Sequence, residues 1–117
     1  AEPYLLLAEA YLRQDMPDKA ADAVNEVRRR AKVSDVSDEE MTMDFLLDER
    51  IRELYGEESR RFTLIRTGKL LERVRKYNPE ARDLIQDFHV LWPIPQAIRD
   101  ANVGNFPQNP GYEGYEG

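Results

Sequence analysis

The sequence YLLLAEAYLRQDMPDKAADAVNEVRRRA spans residues 4–31 and has the apolar spacing of two consecutive helices. In its first half the apolar residues recur at i, i+3, i+4, i+7 and i+8, and they are Tyr4, Leu7, Ala8, Tyr11 and Leu12. Pro17 suits a first helical position, so the residues before it form the turn. The second helix then carries its apolar side on Ala20, Val24, Val27 and Ala31. We therefore expect an antiparallel helical hairpin.

Small residues stand at the predicted crossing point of these two helices. Ala8 and Ala20 allow two backbones to approach closely, while Tyr4 and Tyr11 fill the flanks. This spacing is typical of a tetratricopeptide unit. Because one such unit cannot bury its own faces, we expect further packing partners and interpret the chain as an excised segment of a longer protein.

A third helix is predicted after the acidic linker at residues 33–41. Its N-cap is either the Ser37–Glu40 capping box or Thr42, and it ends near Tyr55, before Gly56. Its predicted buried side consists of Met43, Leu47, Ile51 and Leu54.

A fourth helix is predicted from Arg60 to Tyr77, with Gly68 weakening its middle. Helical periodicity stops beyond Asp87, and four prolines follow: Pro93, Pro95, Pro107 and Pro110. Prolines deny the backbone regular hydrogen bonding, so we expect an irregular segment laid across the helices. The predicted fold class is all-α, with a tetratricopeptide-like hairpin, further helices and an irregular Pro-rich C-terminal segment.

Three blocks of the sequence resemble the SusD/RagB family and cover nearly the whole chain. The first is the helix pair of residues 4–31. The second is DERIREL at residues 48–54, continued by Glu57, Arg60, Phe62, Leu64, Arg66, Gly68 and Lys69. The third is PIPQ at residues 93–96, then Asn102, then QNPGY at residues 108–112. Departures from the family pattern are Glu58, Thr63, Ile98 and Arg99.

The resemblance implies a fragment of a SusD-like α-α superhelix with two parts. Residues 1–33 would be the last tetratricopeptide-like hairpin and residues 34–117 the C-terminal region of the family. Family members are surface lipoproteins of the outer membrane that partner a TonB-dependent, SusC-like channel and deliver oligosaccharides or peptides. Their anchor is a lipidated Cys; the chain has no Cys, so we expect the anchor outside this segment.

Composition narrows the function classes further. A net charge of −6 argues against a nucleic-acid partner, which would need an excess of Lys and Arg. No apolar run approaches the roughly 20 residues that span a bilayer. The chain opens at Ala1 with Glu2 and Pro3 rather than with a signal peptide, so we expect either a cytosolic protein or an excised segment, and the family-like blocks favour the excised segment.

No motif for catalysis, metal binding or cofactor binding stands out. His89 is the single histidine and has no Cys near it, so we expect a non-ligand role. The acidic residues 35–40 lack the spacing of a calcium loop and are interpreted as a solvated linker. Glu49, Arg50 and Glu53 are predicted to form ion pairs between adjoining helices. We therefore predict no enzyme activity, no cofactor and no metal.

Three aromatic residues, Trp92, Tyr112 and Tyr115, have the flat faces on which sugar rings stack. Trp92 stands before Pro93 in the irregular segment, and we expect it to anchor that segment in the core. Tyr115 is expected to be exposed, and Tyr112 closes the QNPGY block. Because the resemblance places most glycan contacts of the family outside this portion, the ligand-binding residues are left unknown.

The sequence is also compatible with other functions. One is a free-standing tetratricopeptide-like adaptor that binds peptides; another is a family member that delivers peptides rather than glycans. A third is a glycan-active enzyme, which would need two carboxyl groups facing each other across a cleft.

Overall fold

The structure is a computed structural model that describes residues 1–116; Gly117 lies outside the described residues. Six α-helices follow one another: α1 Glu2–Leu12, α2 Pro17–Arg30, α3 Met43–Glu53, α4 Arg60–Arg66, α5 Leu70–Tyr77 and α6 Gln96–Asp100. A 3₁₀ turn at Asp87–Val90 lies between α5 and α6, and no strand occurs in the described part of the chain. The all-α prediction is confirmed.

The backbone forms two compact units. The N-terminal unit is Ala1–Arg60, and the C-terminal unit begins at Arg61. The family resemblance predicts a boundary elsewhere, between residues 33 and 34. That boundary separates sequence motifs and not compact units, so it stays a prediction.

The core of the N-terminal unit lies where α1 packs against α2 and α3. Its fully buried apolar side chains come from all three helices: Leu5, Ala8, Ala20, Val24, Leu46 and Leu47. Ala8 and Ala20 are both fully buried, as the crossing-point interpretation predicts, because no larger side chain fits between close backbones.

The buried face of α1 differs from the predicted stripe. Leu5 and Ala8 are buried, whereas Tyr4 and Leu7 remain more than two-fifths exposed. The helix is apolar on more than one side, and within the N-terminal unit α2 and α3 cover the side that carries Leu5. Likewise Ala31 is exposed, because α2 ends at Arg30.

Helix α3 begins after Thr42, whose Oγ1 accepts a hydrogen bond from the Phe45 N–H at 3.1 Å. The Ser37–Glu40 box forms its reciprocal hydrogen bonds, but it closes a turn before the helix. The prediction that Ile51 is buried was wrong. The face of α3 that turns inwards carries Leu46 and Leu47 together with the charged Glu49 and Arg50, and this leaves Ile51 exposed.

Gly68 divides the predicted fourth helix in two. Its backbone φ is +71°, a left-handed conformation that glycine adopts readily and that a helix cannot contain. The Gly68 and Lys69 N–H groups close the last turn of α4 by binding the carbonyls of Ile65 and Leu64. Phe62 on α4 is exposed, and α5 ends at Tyr77, as predicted from Asn78 and Pro79.

The segment after α5 is mostly irregular, as its prolines predict. The exceptions are the 3₁₀ turn and α6, neither of which was predicted. Pro95 precedes the first residue of α6 and its carbonyl accepts the N–H groups of Ile98 and Arg99, so PIPQ leads into a short helix.

Candidate functional site

The DERIREL block joins α3 to α2 through ion pairs. Arg28 Nη1 on α2 lies 2.8 Å from Glu49 Oε2 on α3, and Arg52 Nη2 reaches the same carboxylate oxygen at 2.6 Å. Arg30 pairs with Glu53 one turn further along. The predicted pairing of adjoining helices is therefore present, with Glu49 shared by two arginines.

Phe45 lies beside both arginines that bind Glu49. The guanidinium carbons of Arg28 and Arg52 stand 5.5 and 5.7 Å from the centre of its ring. Cations at this distance are attracted by the ring face. This cluster therefore stabilises the helix contact.

Arg50 is the most deeply buried charge of the N-terminal unit, at 1% exposure. Its Nε lies 2.5 Å from Glu58 Oε1, and its Nη2 lies 3.5 Å from Glu2 Oε1. Gly56, with φ +79°, forms the turn between α3 and Glu58. Thus Glu58, which departs from the family pattern, supplies the carboxylate for Arg50.

Arg50 Nη1 is buried and has no hydrogen-bond partner among residues 1–116. Buried charges persist only where they are paired, so the Glu58 bond is essential to this arrangement.

No group of three or more His, Cys, Asp or Glu able to hold a metal ion occurs in the described residues.

The C-terminal unit is held together by hydrogen bonds from the QNPGY block. Gln108 is buried, and its amide binds both backbone groups of Ile94: Oε1 accepts from the N–H at 2.7 Å and Nε2 donates to the carbonyl at 2.9 Å. In a sheet, a neighbouring strand would satisfy these two backbone groups; here the Gln108 amide satisfies them instead.

Two further side chains of this block bind the same extended segment. Asn109 Nδ2 donates to the carbonyl of Trp92 at 2.7 Å, and the Tyr112 hydroxyl donates to the carbonyl of Leu91 at 2.8 Å. Gly111 has φ +86°, and a Cβ there would stand 2.2 Å from Phe88 Cγ. We call Gln108, Asn109 and Tyr112 the QNY clasp.

Trp92 lies at the surface, with 59% of the residue exposed, so the prediction of a core anchor was wrong. Its backbone carbonyl, rather than its indole, is bound by the clasp. The indole lies against the guanidinium of Arg61, whose Cζ stands 4.3 Å from the ring centre. Tyr115 is half exposed, as expected.

Trp92 and Arg61 border a cavity of about 520 Å³ within the C-terminal unit, the Trp92 pocket. Its wall is mainly apolar and consists of Val74, Ala81, Leu84, Ile85 and Pro93. Asn78, His89 and Tyr112 complete the lining, and none of the lining residues is a carboxylate. Facing carboxyl groups, as glycoside hydrolysis requires, are thus missing from this pocket.

His89 has a definite role in the local backbone. Its Nδ1 accepts a hydrogen bond from the Gln86 N–H at 2.8 Å, and its ring packs against Phe88 with centroids 4.3 Å apart. The His89 carbonyl accepts from Arg61 Nη2 at 2.5 Å.

Two exposed side chains in the N-terminal unit, Glu40 and Arg29, have shifted pKa values. The pKa of Glu40 is lowered, first by the Ser37 backbone N–H and then by the Ser37 hydroxyl, because both stabilise the carboxylate. The pKa of Arg29 is raised by its hydrogen bond and charge interaction with Asp35. Neither group belongs to a cavity with facing acid and base.

Comparison with known proteins decides the family. The model of the SusD family matches residues 1–112. The chain belongs to the SusD family. The structure gives two parts of the family pattern a role. The DERIREL block forms ion pairs that join α2 and α3, and the QNY clasp fixes the extended segment at residues 91–94.

Three relatives are similar to this SusD-family chain. The SusD-like proteins P25 and P38 of Formosa agariphila are 35% and 31% identical over 81% and 80% of the chain. The starch-binding protein SusD of Bacteroides thetaiotaomicron is 34% identical over 97% of it. The chain spans about one fifth of the length of each relative, 20% in every case. No solved structure gave a significant match.

Among the described residues, no helix is long and apolar enough to cross a bilayer.

Sequence reasoning missed the burial of Arg50 and the pairing of Gln108 with Ile94. The family resemblance groups PIPQ and QNPGY in one block, but only the fold shows that an amide side chain connects them.

Proposed function

We propose that this chain is the C-terminal part of a surface nutrient-binding lipoprotein that captures glycans for a TonB-dependent, SusC-like outer-membrane channel. The observation that carries the proposal is the SusD-family match across residues 1–112. The name of the Bacteroides relative, starch-binding protein, supports a glycan as the nutrient.

In this proposal the segment is non-catalytic and mainly structural. Residues 1–33 form the last tetratricopeptide-like hairpin, and residues 34–117 form the C-terminal region of the family. The lipid anchor and most of the ligand-binding surface belong to the rest of the parent protein. The shared Glu49 and the QNY clasp support a structural role, since they use their polar groups internally.

The test is a glycan array probed with the purified full-length parent protein. We expect saturable binding of an oligosaccharide and no new reducing ends after incubation with the bound sugar. If a peptide library binds and no glycan does, the peptide-delivering alternative replaces this proposal. New reducing ends would show an enzyme instead.

The channel partner needs a separate experiment. The parent, carrying an affinity tag, is purified from solubilised outer membranes, and mass spectrometry identifies what accompanies it. A stoichiometric TonB-dependent channel is expected. Recovery of the parent from these solubilised membranes without any channel would contradict the proposed partner.

A further inference from the structure

The Trp92 pocket combines a flat aromatic face, an apolar wall and a cation. Leu84 at its rim is 71% exposed and Trp92 is 59% exposed, so both present apolar surface to a ligand. A cavity of about 520 Å³ lies within the range of small-molecule sites, which combine apolar walls with a few polar groups.

The side-chain nitrogens that line the pocket are hydrogen-bond donors. Arg61 Nε is buried and has no partner in the part of the chain that the structure describes, although Nη2 binds the His89 carbonyl. His89 Nδ1 accepts from the Gln86 N–H, so the neutral imidazole carries its proton on Nε2. Asn78 Oδ1 accepts from two backbone N–H groups, which leaves its Nδ2 donors for a ligand.

This donor set requires an acceptor-rich ligand. An unpartnered guanidinium N–H is satisfied best by a carboxylate, because a charge-assisted hydrogen bond is about twice as strong as a neutral one. The lining contains no carboxylate that would compete with the ligand or repel it.

We propose that the Trp92 pocket binds an acidic sugar, a hexuronate unit of an oligosaccharide. Its carboxylate pairs with the positively charged guanidinium of Arg61 and with the His89 imidazole, and the apolar C–H face of its ring packs on the indole of Trp92. The proposal rests on the proposed glycan-capture function and specifies the charge of the sugar that one site accepts.

Trp92 is the single tryptophan of the chain, so its fluorescence reports this pocket directly. The 117-residue chain is titrated with trigalacturonate and with the methyl ester of the same trimer, which keeps the rings and removes the charge. We expect a saturable fluorescence change with the acid and binding at least about tenfold weaker with the ester. Equal binding of acid and ester, or no saturable change with either, overturns the proposal.

Two variants test the residues. Arg61→Gln should weaken acid binding at least about tenfold and leave ester binding nearly unchanged. Leu84→Glu changes an exposed rim residue outside any core, and its added charge should weaken the acid more than the ester. Arg75→Gln, an exposed arginine on α5 that pairs with Asp87, is the matched control and should bind as the unchanged chain does.

N-acetylphenylalanine distinguishes a sugar from another carboxylate. Tighter binding of this aromatic acid than of trigalacturonate would overturn the sugar assignment in favour of an apolar carboxylate. The failure of this inference can be told apart from the failure of the proposed function. If the parent binds neutral glycans on the array and the 117-residue chain shows no Trp92 fluorescence change with trigalacturonate, only the hexuronate site is contradicted. A parent that binds no glycan sinks the proposed function.

Discussion

In residues 1–60 the buried cluster is apolar and continuous, and every member of it lies between Leu5 and Leu54. In residues 61–116 the buried apolar side chains are Leu64 and Leu70, while Phe62, Leu84 and Trp92 are more than half exposed. The first region has one buried amide that binds both backbone groups of another residue, Asn25 with Val36. The second region has little apolar core and relies mainly on amide and hydroxyl groups that bind the backbone, above all the QNY clasp.

The difference follows from the two sequences. Residues 1–60 have helical periodicity, so apolar side chains collect on faces that cover one another. The four prolines between His89 and Tyr112 prevent such faces, and the exposed backbone groups need side-chain partners. Truncating an apolar side chain should therefore cost more in the first unit than in the second.

The largest effect is expected for Glu58→Gln. The substitution removes the charge that balances Arg50, which is 1% exposed, and should lower the free energy of unfolding by about 3–5 kcal/mol. Chemical denaturation measures this loss. Glu2→Gln, at an exposed carboxylate 3.5 Å from the same arginine, should cost less than about 1 kcal/mol. Equal losses would show that Glu58 is not the main partner of Arg50.

A pair of leucine truncations compares the units directly. Leu46→Ala removes a fully buried side chain and should cost about 2–5 kcal/mol, with reduced hydrogen-exchange protection in residues 1–60. Leu84→Ala changes an exposed side chain and should alter stability by less than about 0.5 kcal/mol. A comparable loss at Leu84 would contradict the polar account of the C-terminal unit.

Gln108→Ala tests the clasp. It leaves both backbone groups of Ile94 and the Asn109 N–H without a side-chain partner, so we expect a loss of about 1–3 kcal/mol. Hydrogen exchange at Ile94 should rise. The control is Gln96→Ala, an exposed glutamine bound to Asp100, for which the loss should stay within about 0.5 kcal/mol. If the two glutamines behave alike, the clasp does not stabilise the segment.

The smallest effect is a pH dependence at Glu40. Its pKa is lowered in the folded protein, so its contribution is complete above the ordinary value of 4.5 and disappears as the pH falls through the lowered value. The stability difference between the unchanged chain and Glu40→Gln should therefore shrink only in acid. Ser37→Ala removes the hydroxyl bond and should narrow this difference at neutral pH; an unaltered difference would argue against the Ser37 hydroxyl as a cause.

Much of the N-terminal unit was predictable because the relevant interactions are local. Proline at the start of α2, threonine at the start of α3 and small residues at the α1–α2 crossing all act within a few residues or along one helix face. Which apolar side of α1 is buried was not predictable, because two sides have similar hydrophobicity and the choice depends on where α3 packs.

The candidate site shows the same limit. The family resemblance grouped PIPQ and QNPGY in one block, but the sequence analysis placed Trp92 in the core. A tryptophan before a proline is a good core anchor by composition, yet here the chain turns so that the Trp92 carbonyl faces Asn109 and the indole faces Arg61.

The residues themselves specify an all-α chain, its helix starts, the irregular Pro-rich segment and the family, because periodicity, caps and motifs are properties of neighbouring positions. The burial of Arg50 beside Glu58, the Gln108 bonds to Ile94 and the Trp92 pocket arise from the folded chain alone. The pairs Arg50–Glu58, Ile94–Gln108 and Arg61–Trp92 lie 8, 14 and 31 positions apart, and a side chain acquires such a partner only when packing has fixed both backbones.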